Sequence, residues 1–280
     1  MSDVIVFGYV ARDASDAARE RMTRLAVVVA QLAGVELAMC RAGSYSELTE
    51  LVQKQKLDVA WLPPVPYMAL SRHGQVEPLV SLVRGGHSVF YSVLIAREDG
   101  GISNPRELGG KRAAWVDRRS ASGYVLPRIG LMAVGIDPRK AFSSEQFLGS
   151  HPDVVRAVID GTADFGATYA GADASGTLTR GGWSTVPDAK KSLRVLATFG
   201  AIPADVIVAR ADLGAHACEC ITRGLVLASK EEAHRPLLDE VFGPAEFRRG
   251  APAGYDEFCA ATMQASAEGL LEGEEKIARG

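Results

Sequence analysis

Short apolar runs alternate along the chain with segments whose apolar residues recur every three or four positions. That rhythm predicts strands followed by helices, stacked into a largely parallel sheet. In the first unit the run VIVFGYV (4–10) precedes a segment in which Ala18, Met22, Leu25, Val29 and Leu32 share one helical face, opening near Ser15 or Asp16 as caps. Next come a strand VELAMC, a helix over 45–54, a strand LDVAWL, a short helix after Pro64 and a strand VEPLVSLV. The run FYSVLIAR (90–97) then leads into a second series: strand RAAWVD, a helix over 122–134, a strand near Phe147, a helix over 152–160 and strand DFGATY. Beyond a polar, Gly-rich stretch at 172–191, strands LRVLAT and DVIVAR lead to helices over 213–230, about 234–241 and 255–276, which have no sheet of their own. The economical α/β solution has two lobes, 1–88 plus 200–280 and 89–199, with connections near 85–92 and 192–206.

Composition changes this picture little. A chain of 280 residues exceeds one ordinary core, which agrees with two lobes. Its 31 basic and 34 acidic residues lack a basic run, so nucleic acid is an unexpected partner. The longest apolar stretch, LAVVVAQLAG (25–34), is well short of the ~20 residues a membrane span needs. Met1-Ser2-Asp3 leads directly into a strand without a basic leader, so the chain as numbered reads as cytoplasmic, and as extracytoplasmic if a leader has been removed. Cys40, Cys218, Cys220 and Cys259 lack CxxC spacing and are expected to be buried, reduced thiols.

Several segments carry more specific information: LDVAWLPPVPY, YSVLIAR, GGKRAAWVDRRSASGYVLPRIGLMAVGID, FLGSHPDVVRAVIDGTADFGATY and IPADVIVAR, with a weaker one at SYSELTELV. In order and spacing they resemble the phosphonate, phosphite and phosphate-ester solute-binding (PhnD-like) proteins. The resemblance implies a two-lobed type II periplasmic-binding-protein fold with two crossover strands, closing by a hinge on a small anion held in an interlobe cleft.

The segment RRSASGY has chemistry of its own. A strand ending at Asp117 runs into a helix start, so the amides of Ala121, Ser122, Gly123 and Tyr124 are candidate donors to an anion, with the hydroxyls of Ser120 and Ser122 beside them. Gly123 would let a ligand approach the backbone, and Pro127 leaves the Gly123 carbonyl without its helical donor, so an irregular first turn is expected. Read alone, either serine is equally an N-cap; the resemblance favours Ser120, Ala121 and Ser122 as ligand contacts. It also implies that His151, opening the helix PDVVRAVIDG, reaches the oxyanion, with Ser150 as contact or cap. Tyr45 and Tyr91 match aromatic positions that line the relatives' cleft, with Trp61 a weaker candidate. Asp205 matches an aspartate that faces the ammonium of aminophosphonates, or else caps a crossover strand. The chain departs from the family at Ala121, at Thr168-Tyr169-Ala170, and at Pro63 and Pro66, where a flexible cleft loop would lose amide donors.

His73, His87, His216 and His234 lack metal-site spacing and are expected at the surface or in loops, with no metal or cofactor. The preferred reading is a binding protein for a small anionic ligand, with a transporter or sensor as partner. The alternative is a cytoplasmic enzyme on the same fold, acting on a carboxylate or phosphorylated intermediate with His151 or Asp205 as general base. A signalling module is the third possibility. GxSxG, P-loop and GxGxxG motifs are absent from the sequence.

Overall fold

In the computed structural model, which describes residues 4–10, 15–173 and 175–271, the chain divides into two compact units. Unit 1 comprises Met1–Ser88 and Pro203–Ala253; unit 2 comprises Val89–Ile202 and Gly254–Gly280.

Unit 1 begins with β1 (Ile5–Val10), α1 (Asp16–Ala33), β2 (Leu37–Ala42), α2 (Tyr45–Gln53), β3 (Val59–Leu62), α3 (Pro64–Ser71) and β4 (Val76–Arg84). The expected cap of α1 is present: Ser15 Oγ accepts from the Ala18 amide, and Met22, Leu25 and Val29 are buried. Unit 2 contains β5 (Val89–Arg97), β6 (Arg112–Trp115), α4 (Leu126–Ala133), β7 (Ser144–Phe147), α5 (His151–Ile159), β8 (Phe165–Ala172), β9 (Leu178–Gly181), α6 (Ala189–Ser192) and most of β10 (Leu193–Pro203). The chain then returns to unit 1 as β11 (Val206–Arg210), α7 (Ala215–Lys230), α8 (Arg235–Phe242) and β12 (Ala245–Arg249), before α9 (Tyr255–Ala267) rejoins unit 2.

The sheet of unit 1 has the order β12-β4-β11-β3-β1-β2. β1 pairs parallel with both β2 and β3, and the returning β11 inserts antiparallel between β3 and β4. The sheet of unit 2 runs β10-β5-β8-β6-β7, with β9 on β8. There β6 is parallel to β7 and β8, while β5 is antiparallel to β8. One core of unit 1 joins Phe7, Tyr9, Leu25, Trp61, Ile207, Ile221 and Phe242. In unit 2, Trp115 stands in ring contact with Tyr124, Phe142 and Phe165.

Several expectations change. The segment after Lys230 does contribute to a sheet, because Ala245–Arg249 pairs antiparallel with β4. Residues 254–271 belong with unit 2 rather than with the lobe expected for 200–280: Leu270 and Leu271 are buried, and the Leu270 carbonyl accepts from Arg128 Nε at 2.8 Å. The chain therefore passes between units at 88–89, 202–203 and 253–254, one more connection than expected. The last helix ends at Ala267, short of the expected 276; residues 272–276 of that expectation lie outside the described residues. The polar stretch at 172–191 includes β9 and α6. All four cysteines are free thiols, but only Cys220 is buried; Cys40, Cys218 and Cys259 are partly exposed. Among the described residues no helix is long and apolar enough to cross a membrane.

Candidate functional site

The end of β6 builds the serine turn of unit 2. Asp117 bends the chain: its carboxylate accepts from the Arg119 amide at 2.7 Å and its carbonyl from the Ser120 amide at 2.9 Å. Ser120 is extended and caps a π turn over Ala121–Val125, its Oγ accepting from the Gly123 amide at 3.0 Å. The π turn leads directly into α4. Here the effect of Pro127 is visible. The Gly123 carbonyl, deprived of its helical donor, accepts instead from the Val116 amide at 3.2 Å, and the Ser120 carbonyl takes both the Tyr124 and Val125 amides.

Counting donors decides what the turn can hold. The Gly123 and Tyr124 amides are consumed internally, which corrects the expectation of four open amides. Among the described residues the amides of Ala121 and Ser122, and the Ser122 hydroxyl, make no hydrogen bond, although both residues are buried. The Ser122 carbonyl is fixed by the hydroxyl of Ser92, at 2.8 Å. Ser120 acts as the cap, with its hydroxyl proton still able to donate. Gly123 has a different reason from the one expected: an added Cβ would lie 2.4 Å from Val116 Cγ2. Packing against Val116, rather than a ligand, requires glycine there.

His151 enters from the neighbouring strand. The Leu148 and Gly149 amides continue the pairing of β7 with β6, donating to the Trp115 and Val116 carbonyls. Ser150 is the N-cap of α5, accepting from the Asp153 amide and donating to its carboxylate. His151 Nδ1 lies 3.0 Å from Thr168 Oγ1, and the ring stands edge-on to Tyr169 with centroids 5.0 Å apart. With the Thr168 hydroxyl as donor, the imidazole carries its proton on Nε2, the tautomer that donates to an anion. Gly182 makes room for this pair, since a Cβ there would lie 2.0 Å from Thr168 Oγ1.

Strand register completes the arrangement. Tyr91 opposes Ala170 and shares the pleat face of Thr168, while Ser92 opposes Tyr169 on the other face. Both tyrosines are partly exposed. The structure thus adds Ser92, Thr168 and Tyr169 to the serines and histidine named by sequence. The alternation YSVLIAR could separate Tyr91 from Ser92, but nothing local showed that Ser92 anchors a turn thirty residues away. Positive charge lies near: the Arg118 guanidinium stands 4.5 Å over the Phe147 ring. Burial pushes the Asp117 carboxyl above its ordinary value, against the lowering effects of the Arg119 amide and the Arg119 and Arg118 charges.

The remaining candidates belong to unit 1. Tyr45 is the first residue of α2, behind the Ser44 cap, and its carbonyl accepts from Thr49 Oγ1. Asp205 lies between β10 and β11, where its Oδ2 accepts from Trp61 Nε1 at 3.2 Å and stands 3.8 Å from Arg84 Nη2. Its charge is already compensated, and Trp61 is a core residue packed edge-on against Phe242. The segment expected as a cleft loop is the start of α3: Pro63 is its N-cap and Pro64 its first residue. Prolines at 64 and 66 delete two first-turn amides, so this helix start is a poor anion holder. His216, on the first turn of α7, is exposed, as expected of a surface position. Among the described residues no group of three or more His, Cys, Asp or Glu side chains converges as a metal site would require.

Comparison with known proteins gives a consistent result. Residues 7–255 match the family described as ABC transporter, phosphonate, periplasmic substrate-binding protein. The phosphate-import protein PhnD of Mycolicibacterium smegmatis is 26% identical over 146 residues, covering 49% of this chain and 46% of that one, so the match spans about half of each. Among solved structures, PhnD1 from Prochlorococcus marinus in complex with methylphosphonate superposes with a TM-score of 0.79 at 17% identity, covering 95% of this chain and 99% of its own. A binding-protein component of a phosphonate ABC transporter from Pseudomonas aeruginosa gives 0.77 at 20% identity, covering 99% of each chain. The sulphonate-binding protein SsuA of Escherichia coli, at 0.60 and 13% identity, shares the type II periplasmic-binding architecture.

Proposed function

Since the chain belongs to the family of periplasmic substrate-binding proteins of phosphonate ABC transporters, we propose that it captures a small phosphonate or phosphate-ester oxyanion on the serine turn and His151 of unit 2. The observation that carries this reading is the set of donors without partners at a buried turn: the Ala121 and Ser122 amides and the Ser122 hydroxyl. Buried polar groups are normally satisfied, so such a set suits an acceptor-rich ligand. Ser120 adds a hydroxyl, the turn's positive end adds a favourable dipole, and the Thr168 bond orients the His151 ring. Tyr91, on the same unit, is proposed as a further contact. Because Asp205 already binds Trp61 and faces Arg84, we assign the protein a preference for an uncharged ligand tail over an ammonium. Family membership supports an extracytoplasmic place of work and a membrane transporter as the partner that receives the ligand.

The test is calorimetric titration with methylphosphonate, inorganic phosphate and 2-aminoethylphosphonate. Ser122→Ala and His151→Ala should each cost about 1–3 kcal/mol of affinity, as expected for removing a hydrogen bond to a charged group. Unchanged affinity in both variants moves the site elsewhere, and tighter binding of the aminophosphonate refutes the assignment for Asp205.

A further inference from the structure

Behind the serine turn lies a buried charge that its donor set does not use. The Arg128 side chain, on the first turn of α4, is 1% exposed. Its Nη1 donates to Glu145 Oε2 at 2.6 Å, its Nε donates to the Leu270 carbonyl at 2.8 Å, and its guanidinium lies 5.0 Å from the centre of the Tyr124 ring. The same Glu145 oxygen accepts from Trp115 Nε1 at 2.7 Å, and the Trp115 ring meets Tyr124 edge-on at 5.8 Å. One carboxylate oxygen therefore ties together two of the side chains that hold Tyr124, the fourth residue of the π turn. A buried guanidinium is tolerable only when its donors are satisfied, and a satisfied network of this kind favours one arrangement of the groups it joins.

We propose that Arg128 and Glu145 are positioning residues for the oxyanion turn, and that the segment around Leu270 is part of the clamp through its backbone carbonyl. The inference rests on the proposed role of the serine turn. Tyr124 is two residues from Ser122, and its amide closes on the Ser120 carbonyl at 3.1 Å. Displacing the ring shifts the peptides whose donors must converge on the ligand, and hydrogen bonds weaken steeply with misalignment. The segment that supplies Leu270 is held a second time, by Arg139 Nη1 on the Glu268 carbonyl at 2.9 Å.

The experiment uses the whole chain with Arg128→Met, Glu145→Ala and Glu145→Gln. Methylphosphonate affinity is measured well below the melting temperature, and amide exchange over residues 116–126 is followed without ligand. The clamp predicts that Arg128→Met and Glu145→Ala lower affinity by about tenfold or more while unfolding stays cooperative. It also predicts faster exchange at Gly123 and Tyr124, with Glu145→Gln, which keeps an acceptor for both donors, restoring slow exchange. Unchanged exchange and affinity in both disruptive variants overturn the proposal. If Arg128→Met does not fold, Glu145→Ala decides alone, because that side chain is 30% exposed. If the unaltered protein binds no phosphonate, the proposed function fails, while the exchange measurement still decides the clamp.

Discussion

A methyl group added at Gly123 would lie 2.4 Å from Val116 Cγ2, 2.7 Å from Val116 Cβ and 2.8 Å from Ser120 Oγ. Gly123→Ala is therefore expected to destabilise the protein by about 1–3 kcal/mol through overpacking. Val116→Ala in the same chain should recover part of that, as read from urea midpoints. Asp117 offers a second test at this scale. Burial raises its folded-state pKa above the ordinary 3.8, so the folded state holds this proton more tightly than the unfolded chain does. The contribution to stability is full below 3.8 and is lost as pH rises through the raised value. Asp117→Asn keeps an acceptor for the Arg119 amide but does not titrate. The stability of the unaltered protein minus that of the variant should therefore fall with rising pH, beginning near 3.8 and levelling above the folded pKa. A difference independent of pH would show that burial does not govern this carboxyl.

Among the elements, those whose apolar residues repeat with a helix or strand period were legible: β1, α1, β3, β5, α5 and α7 lie close to their expected positions. The irregular turn at the head of α4 was also legible, because a proline at 127 removes one particular donor. What replaced that donor was not legible. The Val116 amide comes from the residue just past β6, and the Ser92 hydroxyl from a strand thirty residues earlier. β12 was missed for a similar reason: Ala245–Arg249 alternates small, charged and aromatic residues too briefly to signal a strand, and it is one only because β4 offers it an edge. The short helix after Pro64 was legible although the resemblance implied a cleft loop at Pro63 and Pro66, because proline suits a first helical turn whose amides lack intrahelical acceptors.

For the whole molecule, the allocation of the C-terminal segment separates the two levels of reading most clearly. Phe258, on α9, is 6% exposed. Phe258→Ala should cost about 3–5 kcal/mol, and the lost protection should appear in amide exchange of unit 2 peptides such as 121–133 before those of unit 1. Loss confined to peptides of unit 1 would return α9 to the lobe that its sequence position suggested. The sequence by itself determined the alternation of strands and helices, the α/β class, the family resemblance, and the residue types at the serine turn and His151, because each is written in local periodicity or in a contiguous motif. The tertiary structure alone decided which donors of that turn are already spent, why Gly123 must be glycine, that Thr168 orients His151, and that Asp205 is matched by Trp61 and Arg84. The spent amides close on Ser120 within the turn itself, but the remaining features depend on partners brought close only by folding, and close packing and hydrogen-bond accounting are properties of groups brought together in space, which a linear pattern does not encode.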